Sequence, residues 1–196
     1  LVEEVDAKAG VAVESRSWPQ LWLAAVTRPT IVTYRAIVGD ANIGPGHAYL
    51  WLLGSSVFSG ILVSSAAAWS GSEPAVGSGL VVAILIFAIS ATLACVAFAG
   101  LVHGIARLFL GSGSYRNLMN VSAAFNAPLI LVASVLSVVP RGSVVASGLY
   151  VYWLYLNTVA IRAVHDVGRA KAVGAAVVPL LLLGGAVLGV VLAIIS

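Results

Sequence analysis

The chain has 196 residues, of which 61% are hydrophobic and 9% charged, with a mean hydropathy of +1.07. Soluble domains carry about a quarter charged residues, so this sequence cannot cover itself with a polar surface and reads as an integral membrane protein. Ten Lys/Arg against seven Asp/Glu leave only +3, and no basic run is interleaved with aromatics, which argues against a nucleic-acid partner.

Residues 1–16 carry Glu3, Glu4, Asp6 and Glu14 without periodicity and are expected to form a mobile cytoplasmic tail. "LVEEVDAKAG" has no apolar core, so no signal peptide is expected there. The stretch "SWPQLWLAAVTRPTIVTYRAIVGD" predicts two short helices within 18–38. Ser17 is expected to cap the first, with Pro19 in its first turn, and Thr27 the second, with Pro29 likewise placed. Trp18, Leu21, Trp22 and Val26 form a stripe too short to span, which suits an amphipathic segment lying in the membrane interface.

Five apolar segments follow, near 47–69, 80–104, 120–139, 144–164 and 173–195, each with about the 20 residues a hydrocarbon core requires. "SGSEPAVGSG" (70–79), "LGSGSYRN" (110–117) and "PRGS" (140–143) separate the first four spans, and "GSGS" reads as a flexible loop. The lone Cys95 lies in an apolar run and reads as a small buried hydrophobe. The expected fold is therefore an all-α integral membrane protein, a five-span transmembrane helix bundle preceded by a short interfacial segment. Residues 17–196 would form one membrane domain. With the amino terminus in the cytoplasm, nine Lys/Arg fall inside and only Arg141 outside. That asymmetry predicts a multi-pass cell-membrane protein with its amino terminus inside and Ser196 outside.

"IRAVHDVGRAKA" gathers Arg162, His165, Asp166, Arg169 and Lys171 at one joint between spans. Charges leave hydrocarbon for the ends of spans, which accounts for their concentration. The i, i+3, i+4, i+7 spacing of Arg162, His165, Asp166 and Arg169 further predicts one face of a continuing helix, with Asp166 paired to Arg162 and Arg169. Together with Arg107 and Arg116 these residues predict a basic cytoplasmic rim that receives anionic headgroups or an acidic partner segment.

His47, His103 and His165 are placed at one membrane level, but none has the i, i+4 partner of a helical metal site, so no metal is expected. No cofactor or catalytic residue is expected either. Gly100 with Gly104, and Gly185 with Gly189, are GxxxG pairs that predict close helix contacts. Asn126 and Asn157 fall in one layer with Pro128 and Pro179. They predict a structural polar layer in which amides reach each other or carbonyls freed by proline. A transport site at broken helices is the alternative, opposed by the absence of acidic residues in the spans.

The apolar span leading into "AIRAVHDVGRAKA" and then "VVPLLLL" resembles the last third of the Yip domain family. "VTRPTIVTYRAI", "ARLFLGSGSYRNLMNVSAAFNAPLIL" and "VVPRGSVVASGLYVYWLYLNTVAI" are similar to its lead-in, its third span and its hairpin into the fourth. The resemblance runs over about 20–195 and implies a five-span membrane protein; eukaryotic members bind Rab-type GTPases. Their acidic-aromatic loop motif has no counterpart here, which points to a prokaryotic branch. The resemblance implies a non-enzymatic protein that organises protein partners or lipid through its cytoplasmic face. An accessory subunit bound laterally in a larger membrane complex and a small transporter component are the other readings.

Overall fold

The computed structural model describes residues 17–40, 43–44, 46–69 and 78–195. The expected tail at 1–16 and most of the 70–79 turn lie outside the described residues. The described chain is all helical: α1 (Trp18–Thr27), α2 (Ile31–Gly39), α3 (His47–Trp69), α4 (Ser78–Leu108), α5 (Tyr115–Ser137), α6 (Gly142–His165) and α7 (Arg169–Ile195). Four helices among the described residues are long and apolar enough to cross a membrane: His47–Ala67, Gly79–Leu108, Tyr115–Ser137 and Val144–His165. α7 adds a fifth long helix of 27 residues.

The local chemistry of the first two helices departs from expectation in one respect. Ser17 does cap α1, its backbone N–H donating to Gln20 Oε1 at 3.0 Å. The cap of α2, however, is Thr30, whose hydroxyl accepts from Thr33 N at 3.0 Å, while Thr27 is the last residue of α1. Pro29 explains the shift. It forces Arg28 out of the helical region (φ −132°, ψ 59°), so α1 ends and a new helix can start only after the proline.

α5 sits in the middle, packed against α1, α2, α3, α4 and α6. Its small residues make this close approach feasible: Ala123, Ala124 and Ala127 are fully buried, with Val121 and Phe125 filling the space beside them. The buried hydroxyls of Ser59 on α3 and Ser134 on α5 bond to each other. Ser and Ala at such positions let backbones approach where lipid offers no hydrophobic drive. α1 and α2 lie against the flanks of α5 and α6. Tyr34 stacks on Phe125 at 6.1 Å and donates to Ala25 O at 3.0 Å. Burial pushes the Tyr34 hydroxyl far above its ordinary pKa, which keeps it a neutral donor. Tyr152 on α6 donates to Val26 O, and Trp22 meets Trp51 of α3 edge-on at 6.1 Å. Cys95 is half-buried, against a small cluster around Leu52 and Met119.

Two further expectations are corrected. Arg162, His165, Asp166 and Arg169 do not share a helix face, because α6 ends at His165 and α7 starts at Arg169. Asp166 takes a left-handed conformation (φ 53°, ψ 39°), which Asp tolerates better than most residues and which stops the helix there. The Gly100 and Gly104 pair makes no close helix contact, since a Cβ at either position would meet nothing within 4 Å. Gly185 is equally open, and its expected partner Gly189 lies outside the residues whose surroundings are described.

Candidate functional site at the basic end of the bundle

The end of α4, the start of α5, the end of α6 and the start of α7 come together at one end of the bundle. The loop joining α4 to α5 is fastened there instead of hanging free. Ser112 N donates to His165 O at 3.2 Å and Gly111 N to Ala106 O at 3.0 Å. A Cβ on Gly113 would stand 2.2 Å from Val164 O, and one on Gly111 would stand 2.9 Å from His165 Cβ. The glycines of "GSGS" thus permit a close approach of loop to helix. Arg107 Nη1 adds a contact to Gly111 O at 3.3 Å, and Lys171 Nζ reaches Phe109 O at 3.4 Å from the other side of the loop.

Beneath the loop lies a pair of imidazoles. His103 Nδ1 and His165 Nε2 are 3.3 Å apart, and Tyr115 meets His103 edge-on at 5.9 Å. A hydrogen bond between two imidazoles requires at least one neutral ring to accept. His165 is only 1% exposed, so it belongs to the interior and not to the rim expected for it. His47 stands apart at the start of α3, where its Nδ1 accepts from Gly44 N at 2.8 Å. Among the described residues no group of three or more His, Cys, Asp or Glu side chains converges.

Asp166 is exposed, and its partner comes from outside the joint. Arg35 Nη2 on α2 reaches Asp166 Oδ1 at 2.7 Å, and Arg35 Nε donates to Ala163 O at 3.4 Å. Arg162 is half-buried, with its Nε hydrogen lacking a partner, whereas Arg107, Arg116, Arg169 and Lys171 are exposed. The rim is therefore a set of exposed cations on a framework held by Arg35, Gly111, Gly113 and the histidine pair.

Farther into the bundle, Asn126 and Asn157 are both buried and meet at one residue, Trp153. Its indole N–H donates to Asn126 Oδ1 at 2.7 Å, and its carbonyl accepts from Asn157 Nδ2 at 2.9 Å. α5 and α7 run through Pro128 and Pro179 without a break. The described amide bonds go to Trp153, not to carbonyls that those prolines free.

Sequence reasoning missed Trp153, Arg35 and the two loop glycines. Trp153 falls inside the fourth apolar segment, where a buried indole N–H usually finds an acceptor, and that was the available signal. Gly111 and Gly113 carried a usable signal, because alternating glycine beside small polar residues marks backbone approach as well as freedom.

Fold and site together describe a multi-pass, all-α membrane protein with a constructed basic end. The chain belongs to the Yip1 domain family, whose model matches residues 23–191. That is a family of non-enzymatic membrane proteins. No curated protein and no solved structure matches the chain significantly.

Proposed function

We propose that this protein is a five-span, non-enzymatic adaptor of the cell membrane, with its amino terminus and its basic end in the cytoplasm. There it organises partner membrane proteins on anionic lipid. The observation that carries this reading is the fixed arrangement of the basic end. Anchoring by positive charge needs only the number of cations near headgroups. Here segments distant in sequence are tied by the Arg35–Asp166 pair, the Ser112–His165 bond and the His103–His165 contact, and the exposed cations stand on that frame. Helix length fits the same reading. The 31 residues of α4 extend about 46 Å against a core of about 30 Å, long enough for its basic end to protrude, and α1 and α2, packed on α5 and α6, can lie in the interface. Trp18 and Val32 are exposed there and suit contact with headgroups and upper acyl chains.

The test is purification from native membrane in mild detergent. Arg116→Gln with Lys171→Gln should remove a reproducible set of co-purifying membrane proteins, while Arg141→Gln at the opposite end should retain it. Recovery of the same set with the double variant would overturn the platform. One observation favours lateral membership of a larger complex: only 6% of the apolar stretch of α4 is buried. Loss of the set with Ile86→Ala and Phe87→Ala, both on that exposed helix, would put this second reading in place of the first.

A further inference from the structure

A cleft of about 620 Å³ opens on the side of the molecule between the start of α2, the outer face of α6 and the start of α7. Its α6 wall is a ladder of Val151, Leu154, Tyr155, Thr158 and Arg162, completed at the α7 side by Arg169. The eleven steps from Val151 to Arg162 rise about 16 Å, and along that rise the wall changes from aliphatic, through hydroxyl-bearing, to cationic. Val151 and Tyr155 are exposed at 72% and 49%, so the apolar end opens outward to where acyl chains lie in a bilayer. The cationic end lies at the tips of α6 and α7, where the headgroups of that leaflet would be.

Three features at the cationic end ask for an anion. Arg162 is half-buried, and its Nε is a buried donor with no hydrogen-bond partner, which buried polar groups do not normally lack. The nearby carboxylate, Asp166, is paired with Arg35 and does not neutralise the cleft. Arg169 is the first residue of α7, a 27-residue helix whose first-turn N–H groups add partial positive charge beside the two guanidinium groups. Guanidinium is planar and presents paired donors that match phosphate oxygens, so two arginines suit a phosphodiester better than they suit water.

We infer that this cleft holds a single anionic phospholipid of the cytoplasmic leaflet, its phosphate on Arg162 and Arg169 and one acyl chain along Leu154 and Val151. Thr158 and Tyr155 stand at the height of the ester linkages. The Thr158 hydroxyl already donates to Leu154 O at 2.9 Å and keeps lone pairs for a glycerol hydroxyl. This site deepens the adaptor reading and rests on its orientation: a bound lipid would join α2, α6 and α7 and make the platform sensitive to the charge of the leaflet.

The experiment is native mass spectrometry of the full chain, delipidated in detergent and titrated with phosphatidylglycerol, with phosphatidylcholine of the same chains, and with glycerol phosphate alone. One phosphatidylglycerol should bind per chain, at least about tenfold more tightly than phosphatidylcholine, the ratio expected for one charge-assisted contact. Arg162→Gln and Arg169→Gln should each remove about that preference. Val151→Trp, which fills the apolar end, should weaken both lipids alike. Arg169 is exposed, so its variant remains informative even if Arg162→Gln does not fold. Equal binding of the two lipids to the wild type, or an unchanged preference in Arg169→Gln, overturns the site. Glycerol phosphate binding as tightly as phosphatidylglycerol overturns it in favour of a soluble anion. Arg116 and Lys171 do not line the cleft, so the platform and the lipid site fail separately.

Discussion

α4 and α5 are neighbours in sequence, and the fold treats them in opposite ways. The apolar stretch of α4 has a mean hydropathy of 2.8 and is 6% buried; that of α5 has 1.7 and is 67% buried. In water the more apolar helix would be the inner one. Here the order is reversed because lipid is as apolar as leucine, and burial is won by whatever permits close packing and paired polar groups. α5 supplies Ala123, Ala124 and Ala127 for approach, and Ser134 and Asn126 for bonding across helices. α4 supplies Val81, Leu85, Ile86, Ile89 and Leu93, and these remain exposed.

That contrast is sharpest for large-to-small changes. Phe125→Ala on α5 should cost about 3–5 kcal/mol, because the ring is fully buried and leaves a cavity. Leu93→Ala on α4 should change stability by only about 0.5 kcal/mol, since lipid or detergent refills the space. Thermal unfolding of the purified chain in detergent checks both, and a loss at Leu93 equal to that at Phe125 would break the comparison. Glycines come next in size. Gly113→Ala would push a Cβ against Val164 O and should cost about 1–3 kcal/mol, loosening the α4–α5 loop. Gly100→Ala on α4 meets open space and should raise stability by up to about 1 kcal/mol.

Smaller still is the polar layer. Asn126→Leu leaves the Trp153 indole without its acceptor and should cost about 1 kcal/mol. Adding Trp153→Phe to that variant should recover part of the loss, because no donor is then stranded. The smallest effect is expected at Arg35→Gln. An exposed pair such as Arg35–Asp166 contributes about 0.2–1 kcal/mol and weakens with added salt. A large effect at Arg35 that is insensitive to salt would place the weight of the joint on its bond to Ala163 O.

Membrane class, helical fold and family were legible in the sequence, because composition and the order of apolar runs set them. The ends of helices were less so. The spacing of Arg162, His165, Asp166 and Arg169 obeyed a helical period, yet the helix ends at Asp166, and a left-handed residue leaves no mark on a periodicity. The His103–His165 contact depends on how α4 and α6 tilt together; equal depth in the membrane suggested proximity but equally admitted His47. Asp166 was expected to pair within its own segment. Its partner, Arg35, comes from a helix 131 residues away, a distance local patterning does not reach.

The central claim is that the constructed, basic end faces the cytoplasm and the Arg141 end faces out. Single cysteines introduced as Lys171→Cys and Arg141→Cys in a Cys95→Ala background test it directly with a membrane-impermeant thiol reagent. Both positions are exposed in the fold. On intact cells Arg141→Cys should label and Lys171→Cys should not, with Lys171→Cys labelling only after the membrane is opened. Labelling of Lys171→Cys in intact cells would contradict the account.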